Sequence, residues 1–156
     1  MIKPPAGEDP APRSAGRFRW PARGSILSEF GPKPGGLHND GINISAAKGS
    51  SVVAAENGVV AYAGNELRGF GNLLLIRHAD GWMTAYAHLD DMLVDRGAKV
   101  TRGQKIGTVG SSGSVSAPQL HFELRRGSRA VDPREYLDAE RRVSRDASSG
   151  GQPDPG

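Results

Sequence analysis

Few residues in this chain ordinarily exchange a proton near neutral pH. There are four histidines, His38, His78, His88 and His121, and no cysteine, so a metal centre here would have to be built from imidazole and carboxylate. His38 lies in LHNDGINIS (37–45) beside Asn39 and Asp40, His88 closes Tyr86-Ala87-His88, and His121 closes Gln119-Leu120-His121. A catalytic zinc normally takes three protein ligands from His, Asp, Glu or Cys. It leaves a fourth position for a water whose pKa falls to about 7. One imidazole alone cannot build such a site, so the side to which each of these residues points decides what they can do.

That direction follows from the elements that carry them. Short apolar runs, INISA, SVVAA, GVVAYAG, NLLLIRH, WMTAYAHL, KVTRGQKIGTVG and QLHFELRR, succeed one another between glycine signals. They are rich in Val, Ile, Tyr and Phe, and none keeps a helical period, so each predicts a short strand. LLLI does not alternate and predicts an interior strand buried on both faces. In Gln119 to Arg125, alternation sends Leu120, Phe122 and Leu124 to the core, and Gln119, His121, Glu123 and Arg125 to the other face. In Gly41 to Ser45, Ile42 and Ile44 turn inward and Asn43 outward, with Asn39 on the side of Asn43. In Trp82 to Leu89 the same rule puts Tyr86 and His88 on one face with Trp82 and Thr84, and Met83, Ala85, Ala87 and Leu89 on the other. By the same parity His38 and Asp40 fall on the core side with Ile42 and Ile44, unless a bulge at Gly41 turns them back.

The 156 residues suit one domain, and 22 glycines with 11 prolines favour a turn-rich all-β fold over a helical bundle. A net charge of +3 is a modest basic excess and no nucleic-acid footprint. No stretch approaches the roughly 20 apolar residues of a membrane span, and the N-terminus lacks an apolar signal core. Residues 1–16, rich in Pro and Ala, read as a linker, 17–137 as the folded domain, and 138–156 as a flexible C-terminal tail that begins with a short helical turn. The linker-like start fits the C-terminal part of a longer exported protein.

Three segments carry a resemblance. NDGINISAAKGSSVVAAENGVVAYAG, GFGNLLLIRHADGWMTAYAHLD, and GQKIGTVGSSGSVSAPQLHFELRR with VDPREYL together are similar to the LytM domain of the M23 peptidase family, across about 120 residues in order. The resemblance implies a single grooved β-sheet domain of the duplicated-hybrid-motif kind. In active members that groove holds a zinc endopeptidase site for peptidoglycan cross-links, made of His-x-Gly-x-Asp, His-x-His and a Tyr-x-His segment. Carried across, the first two ligand positions are Asn39 and Asn43, the catalytic His of His-x-His is Gln119, the third ligand His121 remains, and Tyr86-Ala87-His88 is intact. Two of three ligands are amides, which are neutral and weak donors towards zinc, so no tightly bound zinc and no catalytic residue is expected.

Degenerate domains of this kind, in division factors of the EnvC, NlpD and DipM type, imply a non-catalytic activator of peptidoglycan hydrolases in the periplasm or cell envelope. The implied partners are N-acetylmuramoyl-L-alanine amidases, with other divisome or cell-wall proteins as further candidates. The expected partner-binding groove is lined by Asn39, Asn43, Phe70, Tyr86, His88, Gln119, His121 and Arg125, with GNELRGFGN and GSSGSVSAP as walls on different sides. Each has a plainer reading. His88 on a strand suits a hydrogen-bonded structural residue, as His78 does. Tyr86 and Phe70 also suit packing, and Arg125 a solvated face. A divergent zinc endopeptidase that uses His38 and His121, and a passive peptidoglycan-binding module, stay open as alternatives.

Overall fold

The structure, a computed structural model, describes residues 9–139. The first eight residues of the expected linker and all but two of the expected tail lie outside them. Twelve strands follow one another: β1 (Ser25–Ser28), β2 (Gly31–Lys33), β3 (Leu37–Asn39), β4 (Ile42–Ser45), β5 (Ser51–Val53), β6 (Gly58–Gly64), β7 (Asn72–Arg77), β8 (Trp82–Met92), β9 (Lys99–Val100), β10 (Lys105–Val109), β11 (Gln119–Arg126) and β12 (Arg129–Val131). Among the described residues the only helical pieces are single turns, as a chain punctuated by glycine and proline requires.

Ten strands form one antiparallel sheet whose main path runs β1-β4-β11-β8-β7-β6-β9. The strand β12 adds to β11, and β10 pairs both β5 and β8. A separate ribbon joins β2 to β3. The expected run KVTRGQKIGTVG is two strands, since Thr101–Gln104 folds back with the Gln104 amide donating to Thr101 O at 3.0 Å.

The two faces of the central strands bury different sets. On one, Ile42, Ile44, Leu74, Ile76, Leu120, Phe122 and Leu124 join Phe18, Trp82 and Leu137 in the main core. On the other, Leu73, Ala85 and Ala87 form a small cluster under Tyr62, Phe70 and Leu75. LLLI is flanked by β6 and β8, with Leu73, Leu74 and Ile76 buried and Leu75 only partly buried. A large-to-small change at Phe122 removes a fully buried ring, with a cost of about 3–5 kcal/mol.

Some residues read as linker are engaged by the domain. The Glu56 carboxylate accepts from the Ser14 and Ala15 amides and the Ser14 hydroxyl, and Asn57 Nδ2 donates to Pro12 O at 3.0 Å.

Candidate functional site

The register of β4 against β11 places Asn43 opposite His121 and Ser45 opposite Gln119. Both strands alternate without interruption here, so Asn43, Gln119 and His121 share the face away from the main core. Asn39 reaches the same point from the end of β3. Its Oδ1 accepts the Gly41 amide at 3.1 Å, a side-chain turn that reverses the chain from β3 into β4. Glycine is required at 41, because a Cβ there would stand 2.1 Å from Phe122 O.

These side chains close on one another. Asn39 Nδ2 donates to Ser28 Oγ at 2.9 Å and to Asn43 Oδ1 at 3.0 Å. Asn43 Nδ2 donates to Gln119 Oε1 at 2.8 Å, and Gln119 Nε2 donates to Ala117 O at 3.2 Å. The His121 ring completes the set, with Nδ1 donating to Asn43 Oδ1 at 3.1 Å and Nε2 lying 2.9 Å from Glu123 Oε2. Both ring nitrogens face oxygen, so neither offers a free lone pair to a cation. With two neutral amides beside it, this is a poor fit for zinc. No cluster of three or more His, Asp or Glu able to hold a metal occurs among the described residues.

Glu123 is the residue that sequence reasoning left off the groove. It is buried between His121 and Arg125, whose Nε and Nη2 both approach Oε1 at 2.9 Å. Burial by itself would raise its pKa, but the hydrogen bond and charge of His121, then those of Arg125, outweigh it and hold the carboxyl below its ordinary 4.5. The signal was legible: alternation puts Glu123 on the side of His121, and a buried carboxylate between a histidine and an arginine is held there by partners. Arg125 continues outward, donating to Ser128 O at 3.0 Å and lying 3.7 Å from Asp40 Oδ2.

Tyr86 is not on the groove. It is fully buried in the main core, edge-on to Phe122 at 5.4 Å. Its hydroxyl accepts the Ala55 amide at 3.0 Å and lies 2.7 Å from Thr84 Oγ1. Tyr86 and His88 do not share a face, because His88 has φ +67. The β7–β8 register shifts at the same place, with Asn72 opposite Leu89 but Leu74 opposite Tyr86. This bulge turns the His88 ring to the His121 side, 6.1 Å away between centroids, and lets Leu89 return to the core. His88 Nδ1 donates to Ser112 O at 2.8 Å. Burial, with a smaller contribution from the charge of His121, lowers its pKa, so the neutral ring presents Nε2 as its remaining polar atom.

Phe70 lies over His121 with centroids 6.0 Å apart. The loops GNELRGFGN and GSSGSVSAP touch and form one continuous wall, since the Ser114 amide and hydroxyl both donate to Gly69 O at 3.1 Å. Ser112 pins that wall to the sheet, accepting the Asn72 amide at 3.0 Å and donating to Leu89 O at 2.7 Å. His38 and Asp40 are exposed rather than core-facing, because β3 leaves the main sheet to pair with β2. His38 Nδ1 lies 3.0 Å from Asp40 Oδ1 and its ring stands edge-on to Phe30.

A family model described as peptidase family M23 matches residues 37–133, more than half of the chain, including Asn39, Asn43, Gln119 and His121. The chain belongs to this family. As an M23 domain it is 49% identical over 123 residues to the cell division protein DipM of Caulobacter vibrioides, covering 79% of this chain and 20% of that protein. It is 48% identical over 120 residues to the murein hydrolase activator NlpD of Escherichia coli, covering 77% and 31%. Among solved structures, its fold matches a zinc-containing peptidase from Vibrio cholerae with a TM-score of 0.69 at 33% identity, covering 75% of this chain and 39% of that one. It matches the catalytic domain of lysostaphin from Staphylococcus simulans with a TM-score of 0.67 at 33% identity, covering 71% and 90%. This M23 domain thus spans a fifth to a third of the length of these two curated relatives.

Proposed function

We propose that this M23 domain is a non-catalytic regulator in the cell envelope that binds and activates peptidoglycan hydrolases, in the first place N-acetylmuramoyl-L-alanine amidases. The observation that carries this reading is the closed amide cluster. Asn39, Asn43 and His121, the three positions where the family holds its metal, bond to one another and to Gln119 and Glu123, and these bonds occupy Asn43 Oδ1 and both ring nitrogens of His121. The likeness to proteins named murein hydrolase activator and cell division protein supports the choice of activation over hydrolysis.

The docking groove in this reading is lined by Asn39, Asn43, Phe70, His88, Gln119, His121 and Arg125. The polar groups of Asn39, Asn43, Gln119 and His121 are already paired, His88 Nε2 is open to a partner, and Phe70 supplies an aromatic anchor of the kind that dominates interface energies. Activation requires that the domain bind the open hydrolase more tightly than the closed one. A tenfold preference, about 1.4 kcal/mol, shifts the open-to-closed ratio by at most tenfold.

The test is release of soluble fragments from dye-labelled sacculi by the domain, by an amidase, and by the mixture. Activation predicts release by the mixture above that of the amidase, no release by the domain alone, and loss of the stimulation in Phe70→Ala and Arg125→Ala. Release by the domain alone that a chelator abolishes would overturn the reading. Retention of the domain on sacculi without stimulation of any amidase would make it a wall-binding module.

A further inference from the structure

A second recess of about 1280 Å³ shares no lining residue with the amide cluster and is bordered by Arg19, Trp20, Arg23, Ser25, Ser51 and Arg134. The structure assigns it, we infer, as a binding cleft for an extended acidic peptide. This inference is independent of the groove and of the proposed activation.

Charge is the first argument. Arg19 and Arg23 are both exposed, and neither guanidinium has a hydrogen bond or ion pair among the described residues. Arg134 adds a third guanidinium, 3.3 Å from Glu29. The one acidic side chain of the lining, Asp138, is already held by Arg102 at 2.7 Å, so it does not neutralise Arg19 or Arg23. Two uncommitted guanidinium forks in one recess suit carboxylates, which they bind through paired donors.

The backbone is the second argument. The strand β1 ends the main path of the sheet, and residues 19–21 cover the outer edge of β5 only from Val53 onward, with the Arg19 amide donating to Ala55 O at 3.0 Å, so backbone edge borders this cleft at Ser25 and at Ser51. The Val53 amide turns away from β10 to donate to Pro21 O at 2.9 Å. With the two-residue alternation of a strand, the Ser51 amide points the same way. A short edge of this kind accepts an extended chain by strand addition, the backbone giving affinity and the flanking side chains selectivity. The floor, Pro21 and Ala22, is buried, and the half-buried Trp20 ring is fixed by its Nε1 donating to Asp138 O at 2.9 Å. A recess with this buried floor suits a single chain and not the broad face of a bilayer.

The experiment is fluorescence anisotropy of the whole chain with a short blocked peptide alternating glutamate with valine, beside its glutamine and lysine counterparts and vesicles of phosphatidylglycerol. The glutamate peptide is expected to bind at least about tenfold tighter than either counterpart and to weaken with salt. Arg19→Ala with Arg23→Ala, both at exposed positions, is expected to lower that affinity about tenfold while the thermal midpoint stays in place, and Arg96→Ala serves as a basic control elsewhere. Amide shifts of the bound domain should concentrate at 19–26 and 50–53. Equal binding of the three peptides, binding unmoved by the double substitution, shifts confined to the amide cluster, or binding to vesicles alone would each overturn the assignment.

Discussion

Asn43 joins three other side chains of the site. Its oxygen accepts from Asn39 and His121 together, and its nitrogen donates to Gln119. Dialysed against zinc and then against buffer, the chain should retain well under one equivalent, because an amide oxygen already shared by two donors cannot also satisfy a cation. Asn39→His combined with Asn43→Asp restores an imidazole and a carboxylate beside His121 and should retain about one zinc per chain, read by elemental analysis. Failure of the double variant to gain zinc would mean that the cluster no longer has ligand geometry. Glu123 allows a second prediction. Glu123→Gln keeps the shape but removes the charge that His121 and Arg125 face, and should cost about 1–3 kcal/mol at neutral pH in urea denaturation. Since the folded pKa lies below 4.5, this contribution is present above the unfolded pKa and is lost as pH falls through the folded one. The difference between wild type and Glu123→Gln should therefore shrink below about pH 4.5.

At the scale of elements, most of the sheet was legible because period-two alternation is a steric rule that holds as long as the strand is regular. It placed Ile42, Ile44, Leu120, Phe122 and Leu124 inward and Asn43, Gln119 and His121 outward, as found. It failed at His88, where one residue with positive φ reverses the parity, and so it put Tyr86 on the wrong face. Nothing in Tyr86-Ala87-His88 marks that bulge, since the glycine that usually signals one is absent. It failed again at His38, because β3 pairs with β2 in a ribbon of its own. The His88 backbone can be tested directly. Asn tolerates the left-handed region and a β-branched residue does not, so His88→Val should be less stable than His88→Asn by about 1–2 kcal/mol. Equal urea midpoints for the two variants would show that the bulge relaxes when the histidine is gone.

At the scale of the whole molecule, the described domain is closed where its first and last segments meet. Phe18 and Leu137 form a bridge, the Phe18 amide donates to Tyr136 O at 2.9 Å, and the Asp138 amide donates to Phe18 O at 2.7 Å. Beneath this closure lies His78, edge-on to Phe18 at 5.7 Å. Its Nδ1 donates to Asn57 O at 2.8 Å, and its Nε2 faces Thr84 Oγ1 at 2.8 Å. A neutral ring protonated on Nδ1 accepts the threonine hydroxyl proton on Nε2, and Tyr86 Oη in turn can donate to Thr84 Oγ1 while accepting the Ala55 amide. A proton added to Nε2 would break this chain inside the core, and burial accordingly pushes the His78 pKa down from 6.5 to about 4. The folded value is depressed, so the native state resists a proton that the unfolded chain takes up. Stability is then full above about pH 6.5 and falls by up to about 3 kcal/mol as pH drops towards 4. His88, also lowered by burial, acts in the same direction, whereas Glu56 and Glu123, both held below 4.5, contribute at lower pH. The interval from about pH 6.5 to 5 therefore reports mainly the histidines. Urea midpoints of wild type should fall across it, and those of His78→Gln, lower at neutral pH because the hydrogen-bond chain is broken, should fall distinctly less. A variant whose midpoint follows pH as steeply as wild type would place the acid sensitivity outside the closed ends of the domain.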